Sequence, residues 1–195
     1  MSDKNYRYGV MLCVLLKATS ALAGLPPTTN VDIIFEAKIT THTCNITIEG
    51  AAITAGSDGN YTLAAGKNDG EMGVVEIDKI VSGSTEADTD FKLVAKGCPQ
   101  NISQISTRIS GDSINNDYIS PKGGEGSTTN IGVGFYRTSD MTTLIKLNTD
   151  RALLWNADEI ENGVNMKAAL RAISRTLAVK EGDFNATATL SFSYE

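Results

Sequence analysis

The feature that most constrains this chain is the stretch "NATATLSFSYE" at its C-terminal end. Ala186, Ala188, Leu190, Phe192 and Tyr194 alternate with Thr187, Thr189, Ser191 and Ser193. Period-two alternation over nine residues specifies a strand with one buried and one wet face. No turn or further strand follows it in the sequence.

Other segments agree with an all-β reading. "VDIIFEAKI" puts Val31, Ile33, Phe35, Ala37 and Ile39 on one face, with Asp32, Glu36 and Lys38 on the other. "CNITI", "GVVEIDKIV", "DFKLVAKGC" and "ISQISTRISG" read as strands. "NIGVGFYRT" and "TLIKLN" bracket the turn-like "SDM" as a hairpin, and "PKGGEGSTTN" is a flexible loop. Many short strands with such spacers predict a sandwich. One segment resists: "VNMKAALRAISRTLAV" spaces Met166, Ala169, Leu170, Ile173 and Leu177 helically, with Lys167, Arg171 and Arg175 on another face. Periodicity alone favours a basic amphipathic helix; the alternative is a strand with Val164, Met166, Ala168 and Leu170 inward.

Composition narrows the function. The chain has 195 residues, 41% hydrophobic and 21% charged, enough for one sizeable core. A net charge of −6 argues against nucleic acid and against adhesion to anionic membranes. Residues 1–23 have Lys4 and Arg7, a short apolar run, and Ala21-Leu22-Ala23 as a small-x-small cleavage site, which predicts a secretory signal. A retained N-terminal anchor is the competing reading. Cleavage removes Cys13 and leaves Cys44 and Cys98 in an oxidising compartment, where one disulfide is the simplest outcome and two buried thiols the alternative. Closing that loop stabilises by roughly 4 kcal/mol on the chain-entropy model.

Chemistry-bearing motifs are sparse. His42 is the single histidine and there is no Cys-x-x-Cys pair, which leaves no expected metal site. Gly132-Val133-Gly134 lies in a strand pattern, and the "GKN" at Gly66 lacks the rest of a phosphate loop. Asp58, Asp69, Asp88 and Asp90 read as solvated loop carboxylates rather than a calcium site. Asn45, Asn60, Asn101 and Asn185 head glycosylation sequons. Trp155 reads as core, with sugar stacking as the alternative. No catalytic residues, cofactor or enzyme activity are expected.

Read together, the two ends carry a resemblance. "FEAKITTHTC" resembles the F-x-G-x-I/V-x-x-x-x-C opening of chaperone–usher fimbrial subunits (pilins), and "FKLVAKGC" resembles the strand carrying their second cysteine. "GDFNATATLSFSYE" is similar to their C-terminal pattern, with Gly182 fourteen positions from the end and Tyr194 penultimate. The resemblance implies an incomplete immunoglobulin-like sandwich lacking its final strand, completed by a donor strand from another subunit. It also implies that "VNMKAALRAIS" is a strand. The implied organisation is a signal at 1–23, an N-terminal extension and donor strand at 24–41, and a pilin domain at 42–195.

On that resemblance the donor residues are Val31, Ile33, Phe35, Ala37 and Ile39. The acceptor groove, also the chaperone-binding strand, is edged by Gly182, Ala186, Ala188, Leu190, Phe192 and Tyr194. Burying four large donor side chains contributes on the order of 6–12 kcal/mol before ordering costs. Two departures stand out: Ala37 replaces the family's usual glycine, and Pro26-Pro27 set the start of the pairing stretch near Thr29. The implied partners are other fimbrial subunits, a periplasmic chaperone and an outer-membrane usher, on a route to the cell surface. There is room for one pilin domain, which favours a shaft or tip-adaptor subunit; a single-domain tip adhesin that binds a host glycan or protein is the alternative.

Overall fold

The structure, a computed structural model, describes residues 28–38, 44–56, 59–64, 67–68, 71–123 and 127–195. The expected signal at 1–23, together with Pro26-Pro27, Ile39, His42, Asp58, Gly66 and Asp69, lies outside the described residues.

In chain order the strands are β1 (Thr28–Lys38), β2 (Asn45–Glu49), β3 (Ile53–Ala55), β4 (Asn60–Ala64), β5 (Lys67–Asn68), β6 (Glu71–Met72) and β7 (Val74–Glu76). Helix α1 (Ile77–Ser82) leads to β8 (Asp88–Lys96), β9 (Ile105–Ser110), β10 (Ser113–Ile114), β11 (Tyr118–Ile119), β12 (Ile131–Arg137) and β13 (Leu153–Leu154). Helix α2 (Ala157–Asn162) precedes β14 (Val164–Ala172) and β15 (Phe184–Tyr194). The strands form two main sheets, ordered β13-β9-β15-β1-β4-β3, with β7 also pairing β1, and β10-β11-β12-β14-β8-β2. This is an all-β, immunoglobulin-like sandwich.

The core between the sheets follows strand parity. Ile131, Val133 and Phe135 of β12 are fully buried, as are Val164, Met166, Ala168 and Leu170 of β14. Phe91 meets Phe135 edge-on, ring centroids 6.4 Å apart. From the other sheet come Leu63, Ile105, Ile109, Phe184, Ala186, Ala188 and Leu190. Cys44 and Cys98 form a disulfide, tying the start of β2 to the end of β8. Trp155 is buried, as its core reading requires; its indole N–H donates to Thr107 Oγ1 at 2.8 Å, so the polar end is satisfied.

The strand reading of 164–172 holds, and the helical periodicity is misleading for a specific reason. Ala169 is buried as well as Ala168 and Leu170, because the outer face of β14 is covered. Lys167 lies 3.0 Å from Asp90, and Arg171 lies 2.7 Å from the buried carboxylate of Asp88, with Lys167 3.9 Å from its other oxygen. The apparent basic face is thus neutralised across the β8–β14 ladder, where Lys167 pairs Asp90 in register.

Three expectations are corrected. Asp88 and Asp90 are not loop carboxylates: both lie in β8, and the Asp88 side chain is 1% exposed beneath Lys167 and Arg171. "GVVEIDKIV" is strand only through Glu76; α1 then turns the chain so that Ile80 is buried and Val81 exposed. Gly83 stops that helix at φ 71°, a conformation that favours glycine. "TLIKLN" forms no strand. Ile145 and Leu147 are buried alternately, but their N–H groups donate to Phe135 and Asn116, and that of Asn148 donates to Ile109. β12, β9 and the turn between β10 and β11 anchor the segment separately, so it has no ladder of its own.

Candidate assembly groove

β15 is built for one wet and one dry face. Phe184, Ala186, Ala188 and Leu190 are each at most 1% exposed, while Asn185 is exposed and Thr187, Thr189 and Ser191 are half-buried. Phe192 and Tyr194 continue the same face, half-buried at its far end. There Phe192 packs edge-on against Trp155, centroids 6.3 Å apart. Burial pushes the Tyr194 hydroxyl up to about 12, and that hydroxyl has no hydrogen-bond partner. Gly182 begins the segment at φ 150°, a backbone region that side chains disfavour. Phe184 belongs to this wall too, two positions before Ala186 and of the same parity, although the alternation read from Ala186 leaves it out.

One long side of β15 is closed by β9, antiparallel, with Leu190 opposite Ile109 and Phe192 opposite Thr107. The other side is closed by β1 of the same chain. That ladder is parallel, and its register is Val31–Phe184, Ile33–Ala186, Phe35–Ala188 and Ala37–Leu190. The two stretches expected to meet between subunits are therefore paired here with each other inside one chain. The paired stretch starts at Thr28, just after the two prolines. β1 is also held on its far side by β4, with Ile33 opposite Leu63 and Phe35 opposite Tyr61, and by β7 at residues 28–30. It is the strand that joins β15 to β4; without it the sheet parts and both of those edges lose their partners.

A second concavity lies on the outer face of the other sheet, a cleft of about 660 Å³ lined by Val81, Tyr118, Tyr136, Arg171, Arg175 and Leu177 among others. Tyr118 lies across Gly132 and Gly134: a Cβ on Gly132 would come within 2.7 Å of the Tyr118 Cβ, and one on Gly134 within 3.1 Å of its ring. Those glycines serve aromatic packing. Burial pushes Tyr136 up to about 12, and Arg171 is committed to Asp88. Among the described residues no group of His, Cys, Asp and Glu could hold a metal ion, and no helix is long and apolar enough to cross a membrane.

Comparison with known proteins agrees with the terminal motifs. The model of the family described as "Fimbrial protein" matches residues 33–195. An uncharacterized fimbrial-like protein of Escherichia coli (strain K12), YadM, is 37% identical over 193 residues, which cover 95% of each chain. Membership of that family points to a structural protein of surface fimbriae that assembles with other fimbrial subunits. The chain belongs to the fimbrial protein family.

Proposed function

We propose that this chain is a shaft or minor tip-adaptor pilin, carried to the usher by a periplasmic chaperone and polymerised by donor-strand exchange, in support of cell adhesion. The observation that carries the reading is the pairing of β1 with β15. The β1 stretch supplies a strand of alternating apolar residues, and β15 supplies a wall of matching parity that needs one. Either can be offered to a second copy. Val31, Ile33, Phe35, Ala37 and Ile39 are the donor residues; Gly182, Ala186, Ala188, Leu190, Phe192 and Tyr194, with Phe184 added, form the acceptor that chaperone and neighbour would engage in turn.

The experiment separates groove from donor. A chain of residues 42–195 has the groove and lacks the donor; it should aggregate or degrade, and a peptide of residues 28–41 should rescue it as a soluble one-to-one complex. A copy of that stretch fused after Glu195 through a linker should do the same. A 42–195 chain that is monomeric, cooperatively folded and indifferent to the peptide contradicts the reading. Specific binding of a host glycan or protein by the fused monomer would favour the tip-adhesin alternative.

A further inference from the structure

We propose that the free subunit caps itself: residues 28–38 are stored in their own groove as a parallel strand, and donation to a neighbour requires their release. This rests on the donor-strand reading above and adds the state from which exchange starts.

Three observations converge on it. The ladder is continuous, with eight successive residues from Val31 to Lys38 paired to Phe184 to Ser191. It is central, because β4 pairs the opposite side of the same strand. It is also matched in size. In the register Ile33 pairs Ala186, Phe35 pairs Ala188 and Ala37 pairs Leu190, large with small at three of the four same-parity pairs, Val31 with Phe184 being the exception. Sliding β1 by two residues keeps its parity yet sets Phe35 against Leu190, large against large. Size opposition of this kind specifies one register among those that parity allows.

The orientation supplies the release. A strand turned end for end about the sheet normal keeps the same residues on the same face, so the alternation of β1 serves parallel and antiparallel occupancy alike. A parallel ladder is slightly weaker per residue than an antiparallel one. Tethering in the same chain offsets this with an effective concentration of about millimolar. The self-cap thus protects an isolated subunit and yields to an occupant that binds the groove better.

The test uses the full chain with paired cysteines. Asp32→Cys/Asn185→Cys and Glu36→Cys/Thr189→Cys place thiols at partner positions of the parallel ladder. Asp32→Cys/Thr189→Cys places them where only an antiparallel arrangement would join them. Equal amounts of unlabelled and nitrogen-15 chains are unfolded, refolded together and oxidised, and linked peptides are weighed. The self-cap predicts isotopically pure links in both parallel pairs and none in the third variant. Mixed-isotope links at the half expected from random pairing, links in the third variant, or no links in either parallel pair overturn it. A labelled peptide of residues 28–41 provides the second readout. It should enter the reduced Glu36→Cys/Thr189→Cys chain and be excluded from the oxidised one; equal uptake also overturns the self-cap. Failure here leaves exchange between subunits standing, whereas failure of the 42–195 rescue removes that exchange and leaves β1 an ordinary internal strand.

Discussion

Leu190→Ala probes the wall of the groove most cleanly. Leu190 is 0% exposed, with Ile109 opposite on β9 and Ala37 opposite on β1. The substitution removes three carbons, about 2.4 kcal/mol of transfer free energy at ~0.8 kcal/mol each. Ile109 is itself fully buried and cannot relax into the space, so a cavity contribution adds to this, giving about 3–4 kcal/mol within the range measured for such changes. For a domain of this size that lowers the melting temperature by roughly 6–16 °C, at about 2–4 °C per kcal/mol. Urea unfolding with an unchanged m-value is the assay. Thr189→Ala, one residue away on the wetter face, is the control and should stay within about 0.5 kcal/mol. Equal costs at the two positions would refute the parity assigned to β15.

Other perturbations test the frame around the groove. Cys44→Ser with Cys98→Ser should cost about 2–5 kcal/mol in denaturant unfolding, and reductant should reproduce the loss in the parent chain. Trp155→Phe leaves the Thr107 hydroxyl without its donor and should cost about 1–3 kcal/mol by the same measurement. Burial raises Tyr136 and Tyr194 to about 12, so the folded state holds those protons more tightly than the unfolded chain. Stability should therefore be full below the ordinary tyrosine value of about 10 and fall as pH rises through 12. In unfolding curves across that range Tyr194→Phe should flatten the decline, and near neutrality it should cost little because its hydroxyl has no partner. An unchanged alkaline slope would contradict the burial assigned to Tyr194.

How much was legible in the sequence depends on what covers each face. β15 was legible because its outer positions stay wet enough to be Thr and Ser. β14 was ambiguous because Ala169 is buried on the face that should be wet, under the ion pairs of Asp88 with Lys167 and Arg171. α1 has six residues, too few for a helical period to emerge beside the β-branched Val74 and Val75. α2 did leave a local signal: Asn156 and Glu159 form a capping box around its first turn. In "TLIKLN" the alternation is real, but alternation reports burial and says nothing about which backbone groups pair. The same holds for the groove. The wall and the strand that fits it were both readable, yet a period-two pattern reads alike in either direction and cannot say which chain supplies the strand.

Amide hydrogen exchange along Phe184–Ala188, the part of β15 that β1 pairs and β9 does not, tests the central claim, that the open side of β15 is completed by the 28–38 strand. The full chain should protect these amides, Phe35→Asp should lose that protection while β12 and β14 keep theirs, and an added peptide of residues 28–41 should restore it. Slow exchange in β15 regardless of Phe35, or no recovery with the peptide, would contradict the account.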